Sequence, residues 1–289
     1  MSNIILATDL RARRKRTAVR GTKRTLVYVG IIIMCVFAVF PLFWMISISL
    51  RERIYTYDPT VWVFVPTLES YISVFTHRNL VRYLFNSTAI AIGATILSMT
   101  IGTLAAYGFS RFKFKYNAIF LFILLGIRMI PSIAIVIPMF VIASFISVLD
   151  TWGLLIVTYM IFNVPFTVWM MKGFFDEIPK ELEEAGMVDG CTHLQSLYRI
   201  ILPVARPGLV ATAIFCIINS WNEFVYALFL TSIQSVTTPT IVQIFLSAVG
   251  TLWGEMSAVG TIAIMPVLIF AMIVQRHMIR GLSFGAVKG

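Results

Sequence analysis

Two charged residues stand inside long apolar stretches of the chain, and these side chains could do chemistry within a membrane. Arg128 lies in the third apolar stretch and Glu223 in the fifth. A charge at the centre of a bilayer costs roughly 2.5–3.5 kcal/mol on insertion scales, so such residues usually face a cavity or a partner. We therefore interpret Arg128 and Glu223, with Asn163 and Asn222 as polar neighbours, as candidates for lining a translocation path. The alternative is structural: an ion pair between the two charges, or snorkelling to an interface.

The sequence offers no conventional catalytic site. It contains neither an H-E-x-x-H zinc motif nor a G-x-x-x-x-G-K-[ST] phosphate loop. Cys35, Cys191 and Cys216 have no spacing typical of metal ligation or of a disulfide framework. We expect no catalytic residue, no metal and no cofactor in this chain, and an intramembrane enzyme is disfavoured.

The composition indicates an integral membrane protein. Of the 289 residues, 59% are hydrophobic and 12% are charged, which is far from the balance of soluble domains. The formal net charge of +10 would suit nucleic acid, but the basic residues cluster at the ends of apolar stretches, as orientation signals do. We expect contact with the lipid bilayer and no nucleic-acid partner.

The apolar pattern predicts an all-α membrane protein with six transmembrane helices. The predicted spans are 26–50, 83–110, a third starting near 116, 153–171, 208–230 and 256–275. Arg128, Pro131 and Pro138 interrupt the third span, which predicts a kink or a break there. The expected organisation is a basic N-terminal segment, 1–24, a six-span domain, 25–280, and a C-terminal tail, 281–289.

The distribution of Lys and Arg predicts the orientation. Most of them fall in residues 1–24, in the loop after the second span, in the loop after the fourth span and in the tail. An excess of positive charge marks cytoplasmic segments. Both termini are therefore expected in the cytoplasm of a bacterial plasma (inner) membrane.

The polar segment 172–206 separates the fourth and fifth spans and predicts two short helices joined by a turn. Pro179 suits the start of the first helix, and Gly190 suits the left-handed position just after its end. Thr192 and Gln195 have the spacing of a capping box, and an apolar stripe follows at helical spacing. Pro203 and Pro207 are expected to end the second helix.

This segment resembles the EAA motif, E-A-A-x-x-x-G-x9-I-x-L-P, of permease subunits of ATP-binding-cassette (ABC) importers. The residues that match the motif are Glu184, Ala185, Gly190, Ile200, Leu202 and Pro203, and Gly186 and Asp189 lie within the same segment. Gly186 departs from the motif, which has a second Ala there. The resemblance implies that these residues form a coupling element docking on a cytoplasmic ATPase; the alternative is an amphipathic loop on the bilayer surface.

Two further segments resemble the permeases of carbohydrate importers. Residues 221–224 read W-N-E-F, and the chain ends in a G-L-x-x-G-x-V-K-G pattern. The resemblance implies that the tail, with Gly285, Val287, Lys288 and Gly289, contacts the ATPase. The alternative is a frayed terminus.

The whole resemblance implies a type I ABC importer permease subunit for a sugar or sugar derivative. Its expected partners are a second permease, a homodimeric ATPase that binds ATP and Mg, and an extracytoplasmic solute-binding protein. If Arg128 faces the path, an anionic sugar derivative becomes a candidate substrate. The alternative is a secondary transporter or channel that uses Arg128 and Glu223 for ion coupling.

Overall fold

The structure, a computed structural model, describes residues 2–247 and 250–285, and within them the fold is almost entirely helical. In chain order the helices are α1 (Ser2–Ser49), α2 (Glu69–Thr76), α3 (Leu80–Arg111), α4 (Asn117–Met129), α5 (Ser132–Phe145), α6 (Trp152–Glu177), α7 (Glu181–Val188), α8 (His193–Ser196), α9 (Leu202–Val204), α10 (Arg206–Trp221), α11 (Val225–Leu230), α12 (Thr238–Ile241) and α13 (Trp253–Gly285). One π-helical turn, Leu197–Ile201, joins α8 to α9, and 3₁₀ turns occupy Arg53–Tyr55 and Val242–Phe245. A small antiparallel hairpin pairs β1 (Leu246–Ser247) with β2 (Gly250–Thr251).

The helix lengths confirm an all-α membrane protein with up to six spans. Four helical stretches are long and apolar enough to cross a bilayer: 24–49, 80–111, 152–177 and 253–273. Two bent pairs satisfy the same criterion together, namely α4 with α5 and the stretch 193–204 with α10. The predicted break in the third span is present as a bend of 90° between α4 and α5. Pro131 lies at this bend, where it removes an N–H and disfavours helical geometry at Ile130.

The predicted boundaries differ from the observed ones in two places. The fourth span continues as α6 to Glu177, so the first residues of the polar segment are helical, and Lys172 pairs with Asp176 at 2.5 Å one turn apart. The fifth span, predicted as continuous over 208–230, is interrupted after Trp221. The carboxylate Oε1 of Glu223 accepts a hydrogen bond from the N–H of Tyr226 at 3.1 Å, so this side chain holds the first turn of α11 instead of continuing α10.

Close packing of α3 against α6 organises the bundle. These two helices form the most extensive helix pair among the described residues, and α10 packs against both. At the crossing, a Cβ added to Gly102 would lie 2.6 Å from Cβ of Thr167. Small residues that allow such close approach are typical of helix interfaces inside a bilayer. We call the end of the bundle that carries residues 172–206 the loop end, and the other end the opposite end.

At the opposite end, Asp150 fastens the turn between α5 and α6 to the segment 231–238. Its carboxylate accepts backbone hydrogen bonds from residues 232–235 at 2.8–3.1 Å and hydroxyl hydrogen bonds from Ser232 and Ser235. Partial burial works to raise the pKa of Asp150, but the four N–H groups outweigh it and hold the pKa well below its usual range. The ionised carboxylate is therefore the form that fits this loop.

Candidate functional site

The segment 172–206 forms the predicted pair of helices, and Gly190 makes the turn between them. Gly190 has a φ of +89°, a conformation that favours glycine. Its N–H donates to the carbonyl of Met187 at 3.0 Å, and the N–H of Cys191 donates to the carbonyl of Gly186 at 3.0 Å. This pair of hydrogen bonds is a Schellman motif, which satisfies the last carbonyls of α7 and fixes the direction of the chain.

A capping box begins the second helix, as the sequence predicts. The N–H of Gln195 donates to Oγ1 of Thr192 at 3.3 Å, and the N–H of Thr192 donates to Oε1 of Gln195 at 3.0 Å. The prediction that Pro203 and Pro207 end this helix is wrong in detail. Helical geometry passes through Pro203 to Val204, and Pro207 lies in the first turn of α10, where proline needs no N–H partner. The chain instead bends by 83° between Val204 and Arg206.

Glu183 lies at the centre of a buried polar cluster that connects α7 to α3. The carboxylate accepts a hydrogen bond from Nε of Arg111 at 2.9 Å, and both side chains are only 5% exposed. The hydroxyl of Tyr107 donates a further hydrogen bond to the same carboxylate. Nδ1 of His193 lies 3.2 Å from Oε1. A buried charge needs partners of this kind, since desolvation otherwise costs several kcal/mol.

An apolar cluster surrounds these polar groups and joins the loop segment to the bundle. The buried members are Ala106, Tyr107, Met171, Phe175, Ile178, Leu197, Ile201 and Ala205. They belong to α3, to α6, to the linker before α7, to the second loop helix (residues 193–204) and to the bend that follows it. The two loop helices also touch closely, because a Cβ added to Gly186 would lie 2.3 Å from Cδ1 of Ile200. The segment therefore folds as one unit seated on the end of α3 and α6.

The motif residues divide between this buried face and an exposed one. Glu184, Ala185, Asp189, Gly190 and Pro203 are exposed, Gly186 is buried, and Ile200 and Leu202 are half-buried. Apolar side chains lie beside the exposed motif residues: Val188 is 87% exposed, Leu194 56% and Tyr198 55%. A surface of this composition, located at the loop end of the bundle, is suited to bind another protein.

Three of the four predicted path residues meet at one cavity. This cavity has a volume of about 330 Å³, and its polar lining consists of Arg128, Ser132, Asn219, Asn222, Glu223 and Tyr226. It lies at the breaks between α4 and α5 and between α10 and α11. Cζ of Arg128 is 5.0 Å from the centre of the Phe166 ring, an arrangement that lets the ring face stabilise a cation.

Arg128 and Glu223 share this cavity without forming an ion pair. Among residues 24–246, ion pairs within 4.0 Å involve only Glu183, with Arg111 and His193, and Lys172 with Asp176. The two charges therefore remain able to interact with a third group. Asn163 lies elsewhere: it is fully buried, and its Nδ2 donates to Oγ of Ser220 at 2.7 Å between α6 and α10.

The predicted tail contact falls almost entirely beyond the described residues. Gly285 is the last residue of α13, while Val287, Lys288 and Gly289 lie outside the described residues. Within residues 2–247 and 250–285, no three His, Cys, Asp or Glu side chains are grouped as metal ligands would be.

Comparison with known proteins relates this architecture to transport permeases. Residues 98–284 match the family described as binding-protein-dependent transport system inner membrane component. The chain is 34% identical over 276 residues to the trehalose/maltose transport system permease protein MalG of Thermococcus litoralis, covering 92% of this chain and 98% of that protein. It is 32% identical over 265 residues to the sulfoquinovosyl glycerol transport system permease protein SmoH of Agrobacterium fabrum, covering 91% and 93%.

The fold has a counterpart among solved structures. A chain of a bacterial ABC transporter involved in the import of the acidic polysaccharide alginate superposes with a TM-score of 0.72, at 20% identity, over 87% of this chain and 94% of that one. At this identity the likeness concerns the fold.

Proposed function

Because the chain belongs to the family of binding-protein-dependent transport system inner membrane components, we propose that it is the permease subunit of an ATP-driven importer for a sugar or sugar derivative. It forms the translocation path together with a second permease. It contains no phosphate-binding loop, so ATP and Mg are bound by a homodimeric ATPase partner. An extracytoplasmic solute-binding protein delivers the substrate.

The geometry of the loop segment carries this proposal. Its exposed face presents Glu184, Asp189 and the apolar Val188 at the loop end, whereas its buried face is fixed to α3 through Glu183. A rigid surface of this kind can bind a moving ATPase and transmit its displacement, whereas a flexible loop would absorb it. The loop end is then the cytoplasmic end, in agreement with the charge distribution of the sequence.

The cavity between the helix breaks is the proposed site on the translocation path. Sugars need hydrogen-bond donors and acceptors, which Asn222, Glu223 and Arg128 supply there. Relatives named for trehalose/maltose and for sulfoquinovosyl glycerol transport support a sugar class. Asn163 lies at the interface of α6 and α10, where it binds Ser220, and it does not line this cavity.

The proposed mechanism is alternating access. ATP binding closes the ATPase dimer, the loop segment moves with it, and the spans open toward the solute-binding protein. ATP hydrolysis and release of the products reverse this movement. The permease itself makes and breaks no covalent bond.

Co-purification tests the proposal. A tagged chain is extracted from its native membrane and its partners are identified by mass spectrometry, with Gly190→Pro compared to the wild type. Proline cannot adopt the φ of +89° found at Gly190, so the variant distorts the turn between the two loop helices. We expect the wild type to recover an ATPase and a second permease, and the variant to lose the ATPase.

Gly173→Ala is the matched control. Gly173 lies in α6 with no atom within 4 Å of an added Cβ, so the ATPase should remain bound. A wild-type chain that purifies alone, with uptake independent of ATP, would contradict the proposal. It would instead favour a secondary transporter or channel that uses the unpaired Arg128 and Glu223.

A further inference from the structure

Buried polar contacts hold α3 at both of its ends. At the loop end, Arg111 and Tyr107 bind the carboxylate of Glu183. At the opposite end, Nδ2 of Asn86 donates to the carbonyls of Gln234 and Val236 at 2.8 and 2.9 Å. The helix that carries both sets of contacts has 32 residues and, at 1.5 Å per residue, is about 48 Å long. One continuous helix therefore connects the loop segment to the segment 231–238.

The covalent connections of α7 are less direct than this contact. Residues 178–180 separate α7 from α6, and the 83° bend after Val204 separates the second loop helix from α10. Breaks of this kind act as hinges, because a few backbone torsions absorb a rotation. A displacement of α7 therefore reaches α6 and α10 only through joints that can bend.

Arg111 contacts both α7 and the linker that joins α6 to α7. Its Nε binds Glu183, and its second terminal nitrogen, Nη2, donates to the carbonyl of Ile178 at 3.1 Å. Glu183 itself is 3% exposed. Separating a buried pair leaves an uncompensated charge in a poorly solvated site, which is strongly unfavourable. The contact between α7 and α3 therefore moves as a unit.

The opposite end of α3 is also held by hydrogen bonds, in this case to the segment 231–238. Oγ of Ser87 accepts a hydrogen bond from the N–H of Thr238 at 2.8 Å, next to the bonds of Asn86. Asp150 holds the preceding residues of the same segment through its carboxylate. A shift of α3 along or about its axis therefore changes the position of residues 231–238 relative to Asp150.

We propose that α3 transmits the movement of α7 across the membrane to the segment 231–238. Glu183 is the positioning residue that binds α7 to α3. This inference rests on the proposed function, because it assumes that an ATPase moves α7. The sequence motif contains Glu184, which lies on the exposed face of α7. The structure assigns the mechanical contact within the subunit to its neighbour Glu183, on the buried face.

The test measures a structural change at the opposite end of the bundle while nucleotide acts on the ATPase bound at the loop end. Ile233, which is 70% exposed, is replaced by cysteine in a chain whose Cys35, Cys191 and Cys216 are changed to alanine. The purified complex with its ATPase is reconstituted in lipid nanodiscs. The rate of labelling by a hydrophilic maleimide is measured with and without ATP plus orthovanadate. In the parent complex we expect the rate to change by about fivefold or more, the range of ordinary allosteric coupling.

Three variants locate the contact. Glu183→Gln should abolish the nucleotide-dependent change in labelling and the stimulation of ATPase activity by loaded binding protein, while basal ATPase activity persists. Glu181→Gln removes an exposed carboxylate from the same helix and should keep both responses. Asn86→Leu should abolish the change in labelling by releasing the opposite end. A role of Glu183 in folding alone would reduce the yield of complex without altering the ratio of stimulated to basal activity.

The experiment distinguishes failure of this inference from failure of the proposed function. A full labelling response in Glu183→Gln, or none in a parent complex that contains its ATPase, overturns the inference. If Glu183→Gln does not assemble, Tyr107→Phe is the deciding variant. It keeps the ion pair between Glu183 and Arg111 but removes the contacts of the Tyr107 hydroxyl with Glu183 and with the carbonyl of His193. A reduced response supports the inference, whereas an unchanged one overturns it. Failure of the proposed function appears earlier, as absence of any ATPase from the purified wild type.

Discussion

Gly102 of α3 approaches Thr167 of α6 so closely that a Cβ on the glycine would lie 2.6 Å from the threonine Cβ. The same added atom would lie 3.3 Å from the carbonyl oxygen of Val164. Neither a Cβ nor a backbone carbonyl can move away by simple rotation of a side chain. The separation of the two helices is therefore fixed by the absence of a side chain at position 102.

Gly102→Val should force α3 and α6 apart and destabilise the bundle. Overpacking of a well-packed interface costs about 1–3 kcal/mol, and thermal unfolding of the purified complex in detergent measures the loss. Gly108→Val is the matched control, since no atom lies within 4 Å of an added Cβ at Gly108. Equal unfolding temperatures for the two variants would show that the crossing tolerates a wider separation.

Asp150→Asn should weaken the connection between the α5–α6 turn and the segment 231–238. An amide has one acceptor oxygen where the carboxylate has two, and hydrogen bonds to a charged group contribute roughly 1.5–3 kcal/mol each, less where water screens them. We expect a lower unfolding temperature at neutral pH than for the wild type. Glu52→Gln, at an exposed residue, provides the charge-matched control.

Acid should remove this difference between Asp150→Asn and the wild type. The pKa of Asp150 is lowered in the folded protein, so its contribution is complete above the unfolded pKa of about 4 and declines as pH falls through the lower folded value. The wild type should thus lose stability below about pH 4, approaching the variant. A difference that stays constant as pH falls through this range would exclude the ionised carboxylate as its source.

Gly186→Val should separate the two loop helices from each other. An added Cβ would lie 2.3 Å from Cδ1 of Ile200, and a branched side chain leaves that flexible methyl no room to rotate away. We expect loss of the ATPase from the purified complex, with the spans themselves intact by circular dichroism. Gly173→Val, in an open position of α6, should retain the ATPase; loss of it in both variants would point to a general effect of valine.

Arg128→Met should lower uptake of anionic sugar derivatives more than uptake of neutral sugars. The guanidinium supplies the positive charge of the cavity that also contains Glu223. We expect about a tenfold loss or more for an anionic substrate, corresponding to a charged hydrogen bond of roughly 1.5–3 kcal/mol, with the complex assembling normally. Lys113→Met, at an exposed residue outside the cavity, is the control. Uptake unchanged for both classes would exclude a role of Arg128 in binding the substrate.

Local signals in the sequence predicted the features that depend on neighbouring residues. Gly190 occupies the predicted left-handed turn, Thr192 and Gln195 form the predicted capping box, and Pro131 lies at the predicted break. Each of these depends on backbone geometry within a few residues, which residue type largely determines.

Long-range packing produced the features that the sequence did not reveal. Arg111 lies 72 positions before Glu183, and no local pattern places the end of α3 beside α7. The sequence does place Glu183 and Gly186 three residues apart, on one helix face, but only the structure shows that this face is buried. Asn163 similarly faces Ser220 and not Arg128, because the rotation of α6 is set by its contact with α3.

The polar contacts of α3 also bear on how the protein enters its membrane. α1 is apolar along its spanning part and buries almost none of it in the fold, so it can reside in lipid alone. α3 instead carries Asn86, Ser87 and Ser110, whose hydrogen-bond partners lie in the segment 231–238 and in α6. During synthesis α3 emerges before those partners exist, and unpaired polar groups are unfavourable in lipid. We expect biogenesis to retain α3 at the insertion machinery until α6 and the segment 231–238 arrive.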